Sequence, residues 1–192
     1  NSAIKRVIDI GCSSAALALL SGPMAIIAAA IRLSSDGSIL YRQERMGLDG
    51  QPFELLKFRS MYQDAERESG PVWASENDPR RTVVGKVLRR FSLDELPQLW
   101  NVLMGDMSLV GPRPERPFFV DQFKDRVPQY MLRHKVKSGI TGWAQVNGWR
   151  GNTSIEKRIE YDLYYIENWS VALDFKIMWL TIIYLSFHRH AY

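Results

Sequence analysis

The sequence predicts an α+β, mainly helical protein held at one face of a membrane, and three observations support this class. Residues 10–31, near the amino terminus, form a stretch of 22 residues without a charge. The pair Gly22-Pro23 interrupts this stretch at its midpoint. The rest of the chain combines helical patterns with short strand and turn signals, and it contains no linker that would divide two soluble domains. We therefore expect a monotopic protein with a membrane helix over 1–35 and one folded domain over 36–192.

The apolar stretch would span about 33 Å as a straight helix, which is roughly the hydrocarbon thickness of a bilayer. An interior proline, however, removes a backbone hydrogen bond and kinks a helix. Basic residues flank the stretch on both sides, so the positive-inside bias gives no direction for a crossing. We predict a re-entrant helix that breaks at Gly22-Pro23 and returns to the same face. A kinked transmembrane helix fits these two cues almost equally well.

Residues 38–61 predict a β-hairpin. The turn signal Asp49-Gly50 lies between two segments rich in β-branched and aromatic residues. The polar segment 63–82 follows, and its glycine and two prolines predict a surface loop. Five basic residues lie in or near the hairpin: Arg42, Arg45, Lys57, Arg59 and Lys86.

Residues 156–187 have a helical pattern that is rich in tryptophan and tyrosine, whose rings suit a membrane–water interface. The apolar run 177–187 is too short to span a bilayer but long enough to lie in its surface. We predict interfacial amphipathic helices at this end of the domain. A buried core helix fits the pattern of this run equally well.

The charge balance is mildly basic, with 25 Lys and Arg against 21 Asp and Glu and a net charge of +4. Such a balance suits an anionic partner, for example a phosphorylated substrate, a lipid headgroup or a nucleic acid. The arginines are dispersed and make no basic stripe on one element, so we expect no nucleic-acid partner. Cys12 is the single cysteine, which excludes an internal disulfide. Because the chain opens with Asn1, we expect it to be the carboxyl-terminal part of a longer protein.

Two adjacent carboxylates, Asp94 and Glu95, occur in the segment RRFSLDELPQLWN at 89–101. Ser92 followed by Glu95 predicts a capping box, which would place Asp94 in the first turn of a helix. Free backbone N–H groups at that turn also favour a bound phosphate. Beside Arg89 and Arg90, Asp94 is expected to stay ionised and, with a divalent cation, to be able to attack phosphorus. Taken alone, an acidic pair of this kind is more often only a helix cap.

Two later segments offer further cationic side chains. Arg113 lies between Pro112 and Pro114, which hold the backbone extended and present the guanidinium from a stiff stem. In the segment 134–151, glycines accompany Trp143, Trp149 and Arg150, so the aromatic rings can stack on a base and the arginine can contact phosphate. A small hairpin at Asn147-Gly148 is the structural alternative there.

Three motifs together resemble a known family: KFRSM, RRFSLDELPQLWNVLMGDMSLVGPRP and RHKVKSGITGWAQVNGWRG. In this order, and after a proline-broken membrane segment, they resemble the bacterial sugar transferases, which are monotopic phosphoglycosyl transferases. The resemblance covers essentially the whole chain. The end of the sequence is most similar to the undecaprenyl-phosphate glucose-phosphate transferase branch, whose members usually carry more membrane helices and a further domain upstream.

The resemblance implies an enzyme of two steps at the cytoplasmic face of the bacterial inner membrane. Asp94 would take the place of the nucleophile that attacks the β-phosphate of a UDP-sugar, releasing UMP, and Glu95 that of its partner. The phosphosugar would then pass to undecaprenyl phosphate, which is the first membrane step of exopolysaccharide and glycoconjugate synthesis. Asp94 would also contact Mg²⁺. Positions that match the family's phosphate or nucleotide ligands are Arg89, Arg113, Arg150 and either Lys57 or Arg59.

One residue departs from the family pattern. Pro23 matches the proline that breaks the family's re-entrant helix, but the usual Ser-Pro pair is Gly-Pro here, and Ser21 is displaced by one position. The residues do not specify which sugar is transferred, and the resemblance suggests glucose. Exposed aromatic residues allow a homodimer. A non-catalytic module that binds anionic lipid at the membrane surface is the alternative function.

Overall fold

The computed structural model describes residues 2–65, 70, 78–151 and 153–187. It is an α+β structure, as predicted, in which helices dominate and strands make two small sheets. Most of the predicted loop at 63–82 falls outside the described residues. In chain order the elements are α1 (Ser2–Ser34), β1 (Leu40–Met46), β2 (Pro52–Phe58), α2 (Val83–Arg90), α3 (Gln98–Met104), β3 (Ser108–Val110), α4 (Pro117–Phe123), β4 (Gly139–Thr141), α5 (Trp143–Val146), α6 (Ile155–Glu167) and α7 (Val171–Phe187).

The long helix α1 continues through Gly22 and Pro23 without an interruption of helical structure. The predicted break of the helix is therefore not observed. Among the described residues, one helix is long and apolar enough to cross a membrane, Ala3–Ser34, and only 6% of its most apolar window is buried. Whether this helix re-enters or spans a bilayer stays a prediction.

Polar contacts attach the first turns of α1 to the folded domain. Lys5 forms an ion pair of 2.6 Å with Asp174 of α7. Arg6 donates to two carbonyls at the end of α3, at 2.6 and 2.7 Å. The buried carboxylate of Asp9 accepts hydrogen bonds of 3.0 Å from the Ser108 hydroxyl and from the next backbone N–H of β3. The amino end of α1 is thus fixed by charge, whereas the middle of the helix is left exposed.

The predicted hairpin is confirmed. Strands β1 and β2 pair antiparallel, with Leu40 opposite Phe58 and Met46 opposite Pro52. Asp49 in the connecting turn has a φ of 52°, a left-handed conformation that aspartate tolerates better than most residues. Leu55 and Phe58 of β2 are both buried, and they belong to two different core clusters, so the hairpin packs on the domain through both of its faces.

The second sheet is not a hairpin, because β3 and β4 pair in parallel. Their close approach requires glycine: a Cβ on Gly111 would lie 2.3 Å from the Lys137 carbonyl oxygen, and one on Gly139 would lie 2.1 Å from the Gly111 nitrogen. The hairpin considered at Asn147-Gly148 is wrong, since these residues form the turn that ends α5.

The helices α6 and α7 form the carboxyl-terminal side of the domain. Tyr165 and Ile177 are buried against Val110 of β3. On the outside of α7, Phe175 and Trp179 are exposed, the latter to 64%. The helix therefore combines a core face with an exposed apolar face. Its position in a membrane interface stays a prediction.

Candidate active site

Asp94 and Glu95 lie in a short 3₁₀ turn, Leu93–Glu95, between α2 and α3, and both are buried. The predicted capping box is wrong. Ser92 has a left-handed φ of 54° and its side chain caps no backbone N–H. Its hydroxyl lies 3.4 Å from a guanidinium nitrogen of Arg150 instead. The acidic pair thus lies in the first turn of a 3₁₀ helix, as expected of a helix start, but without a side-chain cap from Ser92.

The carboxylate of Glu95 is the centre of a cluster of cations. Its Oε1 lies 2.5 Å from Arg113, 3.1 Å from Lys57 and 3.4 Å from Arg150. Burial alone would raise the pKa of Glu95, but the three cations hold it well below its ordinary value. These ion pairs also explain the loss of the capping box, because three cations attract a carboxylate more strongly than one backbone N–H does. Glu95 is therefore a buried, ionised carboxylate.

Asp94 is in a different electrostatic state although it is the next residue. Within the described part of the chain no ion pair involves its carboxylate. Burial raises its pKa above the ordinary value, with Lys57 opposing and Glu95 adding to the shift. The direction of this shift is opposite to the expectation that Arg89 and Arg90 favour the ionised form of Asp94. Arg89 acts on it from the cavity wall, whereas the side chain of Arg90 is exposed and lies over the Phe91 ring, 5.6 Å from the ring centroid.

A cavity of about 720 Å³ opens beside the acidic pair. Nine cationic and four acidic residues of the described chain line it, so it is suited to a ligand that carries several negative charges. The seven residues predicted from the sequence all lie on its wall: Lys57, Arg59, Arg89, Asp94, Glu95, Arg113 and Arg150.

Residues 1–188 match the family described as bacterial sugar transferase. The chain belongs to this family.

Relatives of the chain are named for different sugars. The UDP-glucose:undecaprenyl-phosphate glucose-1-phosphate transferase of Escherichia coli (strain K12) is 50% identical over 196 residues. The UDP-N-acetylgalactosamine-undecaprenyl-phosphate N-acetylgalactosaminephosphotransferase of Aeromonas hydrophila is 47% identical over 181 residues. These alignments cover 100% and 93% of the chain but only 42% and 43% of the two relatives. The exopolysaccharide production protein PSS of Rhizobium leguminosarum bv. phaseoli is 40% identical, and 94% of each chain is covered.

The structure gives different contacts to Lys57 and Arg59, the two cations that the sequence left as alternatives. Lys57 points to the acidic pair, with its Nζ 3.1 Å from Glu95. Arg59 is buried and donates to the backbone carbonyls of Ser35 and Asp36, just after the end of α1. Such contacts satisfy carbonyls that have no partner within the helix. Lys57 is thus placed for ligand binding, and Arg59 chiefly fixes the end of α1.

The predicted base-stacking residues lie elsewhere. Among the residues described, the cavity wall includes neither Trp143 nor Trp149. Trp143 stacks on Tyr164 with ring centroids 5.9 Å apart, and Trp149 packs on Tyr161 at 6.1 Å. Both tryptophans therefore support the α5–α6 region instead.

Sequence reasoning missed six further charged residues on the cavity wall, two of which directly follow the Arg113-Pro114 pair: Arg45, Asp64, Arg80, Glu115, Arg116 and Arg158. The side chains of Glu115 and Arg158 form a buried ion pair of 2.7 Å that ties the segment after Pro114 to α6. The only sequence signal for Arg45 was its place in a basic hairpin. Alternation along a strand divides such residues between two faces without showing which face meets the ligand.

Proposed function

We propose that this sugar transferase moves a sugar-1-phosphate from a UDP-sugar to undecaprenyl phosphate and releases UMP. The names of the relatives support both substrate classes, since they join undecaprenyl phosphate to UDP-glucose or UDP-N-acetylgalactosamine. We propose glucose-1-phosphate as the group transferred, because several relatives are named for UDP-glucose. The reaction would be the first membrane step of exopolysaccharide synthesis, on the cytoplasmic face of the bacterial inner membrane.

The observation that carries this proposal is the unequal state of the acidic pair. Glu95 is fully engaged with cations, whereas Asp94 is buried at the cavity wall and has no ion pair among the described residues. A carboxylate that is not held by cations keeps its lone pairs available for attack. The cations around Glu95 lie close enough to cover the charge of a phosphate that approaches Asp94.

The proposed chemistry consists of two in-line displacements. In the first, a carboxylate oxygen of Asp94 attacks the β-phosphorus, and the bond from that phosphorus to the bridging oxygen breaks. UMP leaves with the bridging oxygen, and a phosphosugar remains on Asp94 as an acyl phosphate. In the second, a phosphate oxygen of undecaprenyl phosphate attacks the same phosphorus and releases the Asp94 carboxylate. The product is a polyprenyl diphosphate sugar, and no proton needs to be supplied in either displacement.

A magnesium ion fits this site only if the protein and the phosphates of the substrate coordinate it together. No group of three or more His, Cys, Asp or Glu side chains that could hold a metal occurs in the described residues. Mg²⁺ commonly takes one or two carboxylates together with substrate phosphates, and Asp94 is the carboxylate left for it. When bound there, the ion would neutralise charge on the phosphates.

The test is intact-mass measurement of the protein in nanodiscs after incubation with UDP-glucose and Mg²⁺, without lipid acceptor. The mass is expected to increase by one hexose phosphate, and the increase is expected to be absent in Asp94→Asn. Asp121→Asn serves as the matched control, since Asp121 is exposed and pairs with Lys124 at 2.7 Å. An adduct that persists in Asp94→Asn would refute Asp94 as the nucleophile. UMP release in the presence of undecaprenyl phosphate is measured in the same samples, and no release with any UDP-sugar would favour the lipid-binding module.

A further inference from the structure

Arg45 is a cation on the cavity wall that has no carboxylate partner within the described chain. One of its guanidinium nitrogens donates to the Pro114 carbonyl at 3.3 Å and another to the Gln43 side chain at 2.6 Å. Its Nε is buried and has no hydrogen-bond partner. Glu115, the carboxylate that acts on Arg45, is engaged by Arg158 at 2.7 Å. Burial lowers the pKa of Arg45 to about 10, which leaves it charged at neutral pH.

An unpaired cation in this position is costly unless a ligand supplies the opposite charge. A sugar hydroxyl would satisfy the free N–H but would not compensate the charge, whereas a phosphate does both. The hairpin also holds the guanidinium in place through the Gln43 side chain, which in turn donates to the Tyr41 hydroxyl at 3.0 Å. Arg45 is thus oriented in advance for an anion that enters the cavity.

The charged neighbours of Arg45 differ from those of Asp94. Around Arg45 lie Glu115, Arg113 and Arg116. The charges that act most strongly on Asp94 are those of Lys57, Glu95, Arg89 and Arg150. Two cations connect Arg45 to the acidic pair: Lys57, on which the charge of Arg45 acts, lies 3.1 Å from Glu95, and Arg113 lies 2.5 Å from Glu95. Arg45 therefore lies on the cavity wall beyond Lys57 and Arg113 as seen from the attacking carboxylate.

The geometry of in-line displacement indicates which phosphate the position of Arg45 would serve. The leaving group departs from phosphorus on the side opposite to the attacking oxygen. If Asp94 attacks the β-phosphorus, the α-phosphate of the donor lies on the far side. When the acceptor later displaces Asp94 from the same phosphorus, it must also approach from the far side. One phosphate subsite then serves the leaving UMP and, after it, the incoming lipid phosphate.

We propose that Arg45 forms this shared subsite, binding first the α-phosphate of the nucleotide donor and then the phosphate of the polyprenyl acceptor. The inference rests on the proposed function and adds to it a residue and an order of occupancy. UMP and undecaprenyl phosphate would exclude each other from the site.

The test compares Arg45→Gln with Arg42→Gln in nanodiscs. Arg42 is the matched control because it lies on the same strand but on the opposite, exposed face, paired with Glu54 at 3.0 Å. Arg45→Gln is expected to raise the inhibition constant of UMP and the KM for undecaprenyl phosphate by about tenfold to a hundredfold, the usual effect of losing a charge-assisted hydrogen bond. Arg42→Gln is expected to change neither. UMP is expected to compete with undecaprenyl phosphate in the wild type.

A second readout separates ligand binding from a structural role. The phosphosugar adduct is expected to react with water at the same rate in Arg45→Gln as in the wild type, while its reaction with undecaprenyl phosphate slows. Equal slowing of both reactions, an unchanged inhibition constant for UMP, or noncompetitive inhibition would overturn the proposal. If Arg45→Gln does not fold, Arg45→Lys replaces it, since lysine keeps the positive charge but lacks the forked guanidinium donors. An unchanged inhibition constant for UMP and an unchanged KM for undecaprenyl phosphate would then overturn the proposal.

The outcome also distinguishes this inference from the proposed function. If the wild type releases no UMP from any UDP-sugar, the proposed function fails. In that case, the affinities of the wild type and of Arg45→Gln for UDP, measured by titration, test the phosphate subsite independently of any reaction. Weaker binding by the variant would support it, and equal affinity would overturn it.

Discussion

Replacing the two adjacent carboxylates by their amides, one at a time, is expected to change the stability in opposite directions. Glu95→Gln removes the charge that Lys57, Arg113 and Arg150 contact at 3.1, 2.5 and 3.4 Å. These cationic side chains are between 14% and 23% exposed, so water compensates them only in part. Removing one partner of a buried ion pair costs about 3–5 kcal/mol, and we expect the lower end, about 3 kcal/mol, for this partly solvated cluster.

Asp94→Asn is expected to stabilise the protein at neutral pH. The pKa of Asp94 is raised by burial, so the ionised carboxylate opposes folding as the pH rises from its ordinary value of 3.8 through the raised folded value. The pKa of Glu95 is lowered, so its contribution is present above its ordinary value of 4.5 and is lost as the pH falls through the lower folded value. The loss in the free energy of unfolding caused by Glu95→Gln should therefore be complete at pH 7 and should decrease below about pH 4.5.

Thermal unfolding in nanodiscs, followed by tryptophan fluorescence, measures both effects. A loss of about 3 kcal/mol corresponds to a fall of about 6–12 °C in the unfolding midpoint for a chain of this length. Asp94→Asn is expected to raise the midpoint. Glu44→Gln is the control, because Glu44 is an exposed carboxylate of β1 and should leave the midpoint unchanged. If Glu95→Gln unfolds at or above the wild-type midpoint while Asp94→Asn unfolds below it, the charge distribution derived for this site is refuted.

Three further predictions concern activity, packing and topology. UMP release is expected to be lost as the pH falls through the raised pKa of Asp94, so the acid limb of kcat/KM should lie above the ordinary carboxyl range; a limb below pH 4 would contradict this. Gly85→Ala is expected to lower the unfolding midpoint, because the added Cβ would lie 1.9 Å from the Ser60 carbonyl oxygen, and an unchanged midpoint would disprove this packing. In a variant without the native cysteine, Ala3→Cys and Leu33→Cys are expected to react with a membrane-impermeant thiol reagent from the same side of sealed vesicles; reaction from opposite sides would establish a crossing helix.

The parts of the fold that local signals specify were predictable from the sequence. The hairpin of β1 and β2 follows from an Asp-Gly turn between two segments that contain aromatic and aliphatic strand formers, and α1 follows from its length without a charge. The parallel pair β3 and β4 was not predictable. Each strand has three residues, and Ser108 pairs with Gly139 only because glycines let distant backbones approach. No local pattern records such a contact.

The candidate site was predictable as a set of residues but not as an arrangement. All seven predicted side chains reach one cavity. The local rule that made Ser92 a cap for Glu95 failed, because tertiary contacts to three cations replaced it. Arg42 and Arg45 lie in the same basic hairpin, and only the fold shows that Arg45 faces the cavity while Arg42 faces outward.

The inequality of the two carboxylates offers a physical reason for placing them side by side. Without an anion of their own, Lys57, Arg113 and Arg150 would repel one another and would all be drawn to Asp94. Glu95 forms the ion pairs with these three cations instead, so they stay close together and Asp94 remains without an ion pair. An incoming phosphate then meets cations that are already in place and a carboxylate that no cation blocks. On this reasoning Glu95 is a positioning residue, and its charge, more than any direct contact with the reacting phosphorus, keeps Asp94 available.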